Sequence, residues 1–224
     1  RPESLEEFVG QEHIIGKGKL LYRAIKADQL NSVIFYGPPG TGKTTLAKII
    51  AKTTKRVFVQ LNATTSGIKE IKDVVSEAKT RNGMTGGKTI LFIDEIHRFN
   101  KTQQDALLPH VEDGTIVLIG ATTENPYFEV NKALVSRSII FELKQLESKD
   151  IEKLIKRAVT DSEKGYGYFD IDLKEDALKF LADMANGDAR AALNAVELAV
   201  LTTDKNKDGK IVISMDVAQE CIQK

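Results

Sequence analysis

The sequence has no tryptophan, a single cysteine, few aromatic residues and no excess of charge, since 32 basic side chains balance 32 acidic ones. Because one cysteine, Cys221, cannot form an internal disulfide, a cross-linked secreted scaffold is excluded and a reducing, cytoplasmic setting is expected. No apolar run approaches the roughly 20 residues that a membrane helix needs, and the first residues lack the apolar core of a signal peptide. A neutral chain also gives no direct indication of nucleic acid binding, which usually accompanies a basic excess. These absences predict a globular protein that makes no contact with a membrane.

The chain of 224 residues shows two patterns of hydrophobicity. Up to about residue 145, short apolar runs alternate with amphipathic stretches, which predicts βαβ units and a mostly parallel sheet. The predicted strands are 33–36, 57–61, 89–93, 115–119 and 138–143, and the helices between them are 43–52, 67–80 and 101–112. From about residue 147 the pattern is helical only, with helices near 148–164, 174–186 and 188–202 and a last one after Ser214. Ser148, Asp188 and Ser214 are the expected N-caps. The prediction is an α/β domain over 1–145 and a small all-helical bundle over 146–224.

A glycine-rich segment follows the first predicted strand. An apolar run precedes it and a plausible helix follows it, which is the context that a phosphate-binding loop requires. The residues that match this loop are Gly37, Pro38, Pro39, Gly40, Thr41, Gly42, Lys43 and Thr44. Glycines allow backbone amides to surround a β-phosphate, Lys43 would reach the β- and γ-phosphates, and the Thr44 hydroxyl would bind Mg²⁺. The sequence therefore predicts a site for ATP and Mg²⁺, and the alternative is a chance turn.

Two carboxylates, Asp94 and Glu95, end the third predicted strand in the run ILFIDEIH. Asp94 can hold Mg²⁺ through water, and Glu95 is suited to polarise an attacking water molecule. An ordinary acidic strand end is the alternative, but a phosphate loop upstream, with one strand between the two motifs, argues against it. Small-molecule kinases do not usually need a carboxylate at this place, so hydrolysis is favoured over phosphoryl transfer. His97, two residues after Glu95, is expected to have a structural role, and the alternative is that it points into the subunit interface.

Two hydroxyl groups, those of Thr122 and Thr123, follow the fourth predicted strand. They lie at the C-terminal edge of the sheet, where ligands of open α/β proteins bind. One of them could orient the lytic water beside Glu95, and a strand end with ordinary turn residues is an equally good interpretation.

Together, the segments GPPGTGKTT, ILFIDEIH, LVSRS and GDARAALN resemble an AAA+ ATPase over essentially the whole chain. The long stretch HRFNKTQQDALLPHVEDGTIVLIGATTENP resembles more specifically the RarA/MgsA family of replication-associated recombination ATPases, which includes the Werner-helicase-interacting ATPase. The resemblance implies a five-stranded parallel sheet flanked by helices and followed by a helical lid. It also implies that the lid is followed, in whole members of the family, by an oligomerisation region that this chain does not include.

The resemblance assigns roles to residues by position. Glu95 is the catalytic base, and Thr123 is the first sensor, with Thr122 one register away. Arg137 acts in trans on the nucleotide of a neighbouring subunit, although Ser138 replaces the cysteine that usually follows. The residues implied in nucleotide binding are Val9 and Gly10 at the adenine, the loop 37–44, Thr45, Asp94 and the lid residue Arg190. Thr44 and, through water, Asp94 are the implied Mg²⁺ ligands.

The same resemblance implies a DNA-stimulated, oligomeric ATPase of the bacterial cytoplasm that acts at stalled or gapped replication forks. The full-length protein would be a tetramer that binds single-stranded, gapped or forked DNA through its assembled subunits. Single-strand-binding protein and replisome components are the expected protein partners. Three alternatives stay open from the sequence: a clamp-loader subunit, a Holliday-junction branch-migration motor, and a scaffold that hydrolyses ATP slowly and recruits partners.

Overall fold

In the computed structural model, which describes residues 1–222, the chain divides into two compact units. Residues 2–38 and 42–144 form the first unit. The second unit begins at residue 145, and Arg1 and residues 39–41 are assigned to it. Within residues 1–222, no helix is long and apolar enough to cross a membrane.

The first unit is built on a sheet of five parallel strands in the order β2-β3-β4-β1-β5. The strands are β1 (Ser32–Tyr36), β2 (Val57–Asn62), β3 (Thr89–Asp94), β4 (Ile116–Thr122) and β5 (Ile139–Glu142). The predicted number of strands and their parallel arrangement are confirmed. Strand β4 continues to Thr122, beyond its predicted end, because residues 120–122 pair with the last residues of β1.

Both faces of this sheet are buried. In β1, Val33 and Phe35 pack in one apolar cluster, and Ile34 between them packs in another on the opposite face. All three side chains have no exposed surface, and residues 90–93 of β3 are equally buried. Nearly continuous apolar runs are therefore the expected sequence of these strands, because a parallel sheet covered by helices has no solvent face.

The helices of the first unit include four that the sequence pattern did not predict. Its helices are α1 (Glu12–Ile15), α2 (Leu20–Lys26), α3 (Lys43–Thr53), α4 (Ile68–Thr85), α5 (Lys101–Glu112), α6 (Pro126–Glu129) and α7 (Lys132–Ser136). A single 3₁₀ turn spans Ile96–Arg98. The missed helices have four to seven residues, which is too short for a helical period to be visible. Helix α4 continues past residue 80 and ends where Gly86 adopts the left-handed conformation.

Within residues 145–222, the second unit contains four helices and two short strands. They are α8 (Ser148–Thr160), β6 (Ile171–Leu173), α9 (Glu175–Met184), α10 (Ala189–Thr202), β7 (Ile211–Ile213) and α11 (Met215–Cys221). The prediction of an all-helical lid was wrong in this respect, because β6 and β7 form a parallel pair. Strands of three residues leave no period in a sequence, and these two are paired across the intervening helices α9 and α10.

Two of the three predicted N-caps of the second unit are confirmed. The Asp188 side chain accepts hydrogen bonds from the amides of Arg190 and Ala191, and the Ser214 hydroxyl accepts one from Val217. Ser148 was the wrong N-cap of α8, since Glu147 occupies that position and Ser148 is the first helical residue. The same helix ends at Thr160, before the predicted 164, because residues 161–167 form turns in which Asp161 accepts two backbone amides.

Candidate active site

The loop between β1 and α3 depends on glycine at its two ends. Gly37 has a φ of 149°, and a Cβ atom there would collide with the carbonyl oxygen of Leu143. Gly42 has a φ of 103°, and a Cβ atom would lie 2.6 Å from the ring of Phe8. Side chains rarely adopt such backbone conformations, so both positions require glycine. Helix α3 begins directly after Gly42, so its first-turn amides belong to the same loop and can bind an anion.

Lys43 lies across this loop. Its ammonium group donates hydrogen bonds to the carbonyl oxygens of Gly37 and Pro38, at 2.7 Å each. Thr44 and Thr45 follow it in the first turn of α3. An ammonium group and helix N-terminal amides in one loop form a positive site for phosphates. This arrangement can bind phosphates, and the roles of the loop residues in nucleotide binding stay a prediction.

Three neighbouring strands, β1, β3 and β4, bring the predicted phosphate loop, carboxylates and threonines to the same edge of the sheet, but not Arg137, which precedes β5. The Gly37 amide, at the start of the loop, donates a hydrogen bond of 3.1 Å to the carbonyl oxygen of Thr122. Asp94 is the last residue of β3 and pairs with Asn62 of β2. Because β4 lies between β3 and β1, the phosphate loop, the two carboxylates and the two threonines are adjacent.

Glu95 has an unusual backbone conformation. It lies directly after β3 with φ 56° and ψ 42°, in the left-handed region. For a residue other than glycine, this conformation costs about 1–2 kcal/mol, and such residues cluster at functional sites. The Glu95 amide donates to Oδ1 of Asp94 at 3.0 Å.

Oxygen ligands for a magnesium ion are present among these residues. Mg²⁺ prefers hydroxyl, carboxylate and water oxygens, and it usually keeps several waters. Thr44 supplies a hydroxyl group from the start of α3, and Asp94 supplies a carboxylate whose Oδ1 already accepts the Glu95 amide. The residues present fit the ion that the sequence predicts.

The side chain of Glu95 has two basic neighbours in the following 3₁₀ turn. Its Oε2 lies 3.9 Å from Nε2 of His97 and 3.9 Å from Nε of Arg98. Nδ1 of the same imidazole lies 2.7 Å from the Thr122 hydroxyl. The sequence favoured a structural role for His97 over a place at the subunit interface, and its spacing from Glu95 was the single signal of this contact. The contact with Thr122 depends on the register of β3 and β4.

The two threonines at the end of β4 differ in their surroundings. Thr122 is the last residue of the strand and is 2% exposed, and its hydroxyl accepts a hydrogen bond of 3.0 Å from the Glu124 amide. Thr123 follows the strand and is exposed. The Thr122 hydroxyl is therefore used inside the protein, whereas that of Thr123 faces solvent. Thr123 stays the predicted residue for orienting the lytic water.

The N-terminal segment that contains Val9 and Gly10 is fixed by residues that the sequence analysis did not identify. The Gln11 side chain donates to the carbonyl oxygen of Lys144 at 2.7 Å and accepts from the Lys144 amide at 2.9 Å. Phe8 packs at Gly42, as described above. Gly10 is buried with a φ of 82°, and Val9 is half-buried. The segment thus lies beside the phosphate loop and the chain that follows β5, which fits its predicted place at the adenine.

The predicted trans-acting arginine, Arg137, and the predicted lid residue, Arg190, are both exposed. Arg137 caps the C-terminus of α7, with 52% of its side chain exposed, and its Nε lies 3.1 Å from Oε1 of Glu112. Ser138, the next residue, connects the end of α7 to β1, since its hydroxyl donates to the Leu134 carbonyl and lies 2.8 Å from the Ser32 hydroxyl. In the second unit, Arg190 lies in the first turn of α10 with 70% of its side chain exposed.

Comparison with known proteins identifies two matching family models. Residues 33–146 match the ATPase family associated with various cellular activities (AAA), and residues 166–224 match the AAA C-terminal domain. Among solved structures, the Holliday junction branch migration motor RuvB of Thermotoga maritima is similar, with a TM-score of 0.76 and 27% identity. That similarity covers 99% of this chain and 71% of the RuvB chain. The shared architecture therefore includes both units.

Closer sequence relatives are bacterial and eukaryotic. Replication-associated recombination protein A is 53% identical over 210 residues in Haemophilus influenzae and 48% identical over 220 residues in Escherichia coli K12. These matches cover 94% and 98% of this chain but 47% and 49% of the relatives, so the chain spans about half their length. The ATPase WRNIP1 of Dictyostelium discoideum is 47% identical over 201 residues, which are 89% of this chain and 23% of that protein. The chain belongs to the AAA family of ATPases, and within it to the group of replication-associated recombination protein A and WRNIP1.

Proposed function

We propose that this chain is the ATP-hydrolysing part of a DNA-stimulated ATPase that acts in replication, recombination and repair. The observation that supports this most strongly is the arrangement at the sheet edge, where the Lys43 loop, Asp94, Glu95 and the threonines of β4 are adjacent. A loop that binds phosphates next to a carboxylate on a strained turn is suited to hydrolysis of a phosphoanhydride.

Each residue at this edge has a distinct role in the proposed reaction. The amides of the phosphate loop and the Lys43 ammonium bind the β- and γ-phosphates of ATP. The Thr44 hydroxyl and, through water, the Asp94 carboxylate hold Mg²⁺, which when bound neutralises charge on the phosphate oxygens. Glu95 accepts a proton from the attacking water, and Thr123 orients that water from the end of β4. Val9 and Gly10 lie at the adenine, and Thr45 adds a further contact in the first turn of α3.

Arg137 is proposed to complete the site of a neighbouring subunit. Its guanidinium is half exposed and held by Glu112, which is 41% exposed. An exposed ion pair of this kind contributes about 0–1 kcal/mol, so a γ-phosphate of the neighbour can replace Glu112 at little cost. Arginine fingers of this type contribute about 10³ to 10⁵ in rate. Arg190 is proposed to respond to the γ-phosphate from the lid of its own subunit.

The relatives' names support the cellular role. Proteins 43–53% identical to this chain are named for replication-associated recombination, which supports a role in that process. Action at stalled or gapped forks in the bacterial cytoplasm is the finer part of the proposal. We further propose that the full-length protein is a homo-oligomer, with four subunits, that contacts DNA and single-strand-binding protein or replisome components. A branch-migration motor is the second candidate, because the similarity to RuvB covers both units.

The proposal is tested by ATP turnover of the full-length protein with single-stranded, gapped, forked and four-way-junction DNA at a stated salt concentration. Glu95→Gln should retain nucleotide binding and lose at least about a hundredfold in turnover. Preferential stimulation by the four-way junction, together with branch migration, would favour the second candidate. Normal turnover of Glu95→Gln would contradict the role of Glu95 as the base.

The action of Arg137 in trans has its own test. Full-length Arg137→Ala and Glu95→Gln are each expected to be inactive, and mixing them should restore part of the turnover. The reason is that mixed assemblies contain interfaces with an intact arginine and an intact Glu95. Arg23→Ala, at an exposed arginine of α2, is the matched control and should be as active as the natural protein. If mixing restores nothing, Arg137 acts within its own subunit or not at all.

A further inference from the structure

We propose that His97 is a positioning residue that orients the catalytic carboxylate of Glu95 and couples it to the end of strand β4. This inference rests on the proposed function of Glu95. His97 is the residue whose side chain spans the gap between Thr122 and Glu95, with one ring nitrogen toward each of them.

The proposal requires one direction for the hydrogen bond between Thr122 and the imidazole. The Thr122 carbonyl oxygen accepts the Gly37 amide at 3.1 Å, and its hydroxyl oxygen accepts the Glu124 amide at 3.0 Å. The hydroxyl still has its proton and a second lone pair, so its contact of 2.7 Å with Nδ1 of His97 is compatible with either direction of the hydrogen bond. In the proposed arrangement the hydroxyl donates to Nδ1, and the proton of the imidazole lies on Nε2. That proton faces Oε2 of Glu95.

The ring of His97 is more buried than the carboxylate of Glu95. The His97 side chain is 11% exposed and that of Glu95 is 38% exposed. Ile96, which precedes the histidine, has no exposed surface and packs over Gly120 of β4. A Cβ atom added at Gly120 would lie 3.1 Å from Cδ1 of Ile96. A buried neighbour and a bond to Thr122 thus fix the imidazole.

The distance of 3.9 Å between Nε2 and Oε2 is too long for a hydrogen bond, which needs about 3.2 Å or less. A rotation of the Glu95 side chain closes this gap, and the bond from Nε2 then holds the carboxylate in one orientation. Thr122 connects this bond to the Gly37 amide and to Thr123, the next residue. Binding of a γ-phosphate at the loop and at Thr123 would therefore reach Glu95 through His97. Arg98 is the second charged group at the carboxylate, and its side chain is 64% exposed.

Two amide substitutions test the contacts of the two imidazole nitrogens separately. In His97→Asn, the amide group lies near the position of Nδ1, so the contact with Thr122 is retained and the donor toward Glu95 is lost. In His97→Gln, the longer side chain places an amide N–H near the position of Nε2. The proposal expects His97→Asn to lower kcat by about tenfold or more, since small misplacements of a catalytic group cost up to about a hundredfold. His97→Gln should recover turnover to within about threefold of the natural protein. In both variants, nucleotide affinity should change by less than about twofold, because the contacts that bind the nucleotide in the ground state are not removed.

A purely structural role for His97 predicts the opposite order. If the histidine only satisfies the buried Thr122 hydroxyl, His97→Asn is the active variant and His97→Gln is the impaired one. That order, or equal activity of the two variants, overturns the proposal. His110→Asn, in α5, controls for loss of an imidazole and should keep its turnover.

Two further measurements test the proposal by results other than loss of activity in a single variant. Adding His97→Asn to Glu95→Gln should lower turnover no further, because residues that act as one unit are not additive. A long-range ¹H–¹⁵N spectrum of the nucleotide-free protein should show His97 with its proton on Nε2, and a proton on Nδ1 overturns the proposal. Full activity of Glu95→Gln alone would contradict the proposed function itself. Loss of activity in Glu95→Gln together with normal activity in His97→Asn would contradict only the role of His97.

Discussion

Replacing Gln104 by leucine should destabilise the first unit. Gln104 lies in α5 and is 2% exposed. Its Nε2 donates to the carbonyl oxygens of Phe99 at 2.9 Å and Glu129 at 3.3 Å, and its Oε1 accepts the Asn131 amide at 2.7 Å. One side chain thus connects α5 to α6 and to the start of α7, the helix that leads to Arg137.

The magnitude follows from the groups that the substitution leaves without partners. Leucine has a similar volume, so no large cavity forms and the cost comes from hydrogen bonding. A buried donor without a partner costs about 1–3 kcal/mol, and the Asn131 amide would be such a donor. The two carbonyl oxygens add less, since each has a second lone pair. We expect the free energy of unfolding to fall by about 2–4 kcal/mol.

Urea unfolding followed by circular dichroism measures this loss, and amide hydrogen exchange at Asn131 localises it. The matched control is Gln103→Leu, one residue away on the exposed side, where the side chain accepts only the Asn100 amide of the helix cap. That change should cost about 1 kcal/mol or less. A loss below about 1 kcal/mol in Gln104→Leu, with unchanged exchange at Asn131, would refute the hydrogen-bond argument.

Two other predictions concern a glycine and a carboxylate. Gly42→Ala should weaken nucleotide binding about tenfold, since about 1–2 kcal/mol of backbone strain opposes the binding conformation of the loop. Gly114→Ala, at a φ of 76° with open space around the added Cβ, should leave affinity unchanged, and an equal loss there would refute the local explanation. Hydrogen bonds from the Lys164 and Glu163 amides lower the pKa of Asp161 in the folded protein. Its stabilising contribution is therefore present above the unfolded pKa of about 3.9 and is lost as the pH falls through the lower folded value. The melting temperatures of the natural protein and Asp161→Asn should converge on acidification, and a constant difference would contradict this.

The sequence by itself determined the local features. A phosphate loop, an acidic strand end and apolar runs depend on neighbouring residues, so the order of the strands in the chain and the positions of Lys43, Asp94 and Glu95 were predictable. Nearly continuous apolar runs also indicated that the sheet is buried on both faces, because a half-exposed strand would alternate. The caps at Asp188 and Ser214 were predictable for the same reason, since a cap acts within its own turn.

The tertiary structure decided the features that depend on contacts between residues far apart in the sequence. Gln11 and Lys144 are 133 residues apart and form two hydrogen bonds, a pairing that no local pattern contains. The strands β6 and β7 were missed because each has three residues and is defined only by its partner. The register of β4 beside β1 buries Thr122 and leaves Thr123 exposed, a difference that two identical residues in sequence cannot reveal. Side-chain identity is local information, but the burial and direction of a side chain are fixed by the strands and helices that pack around it.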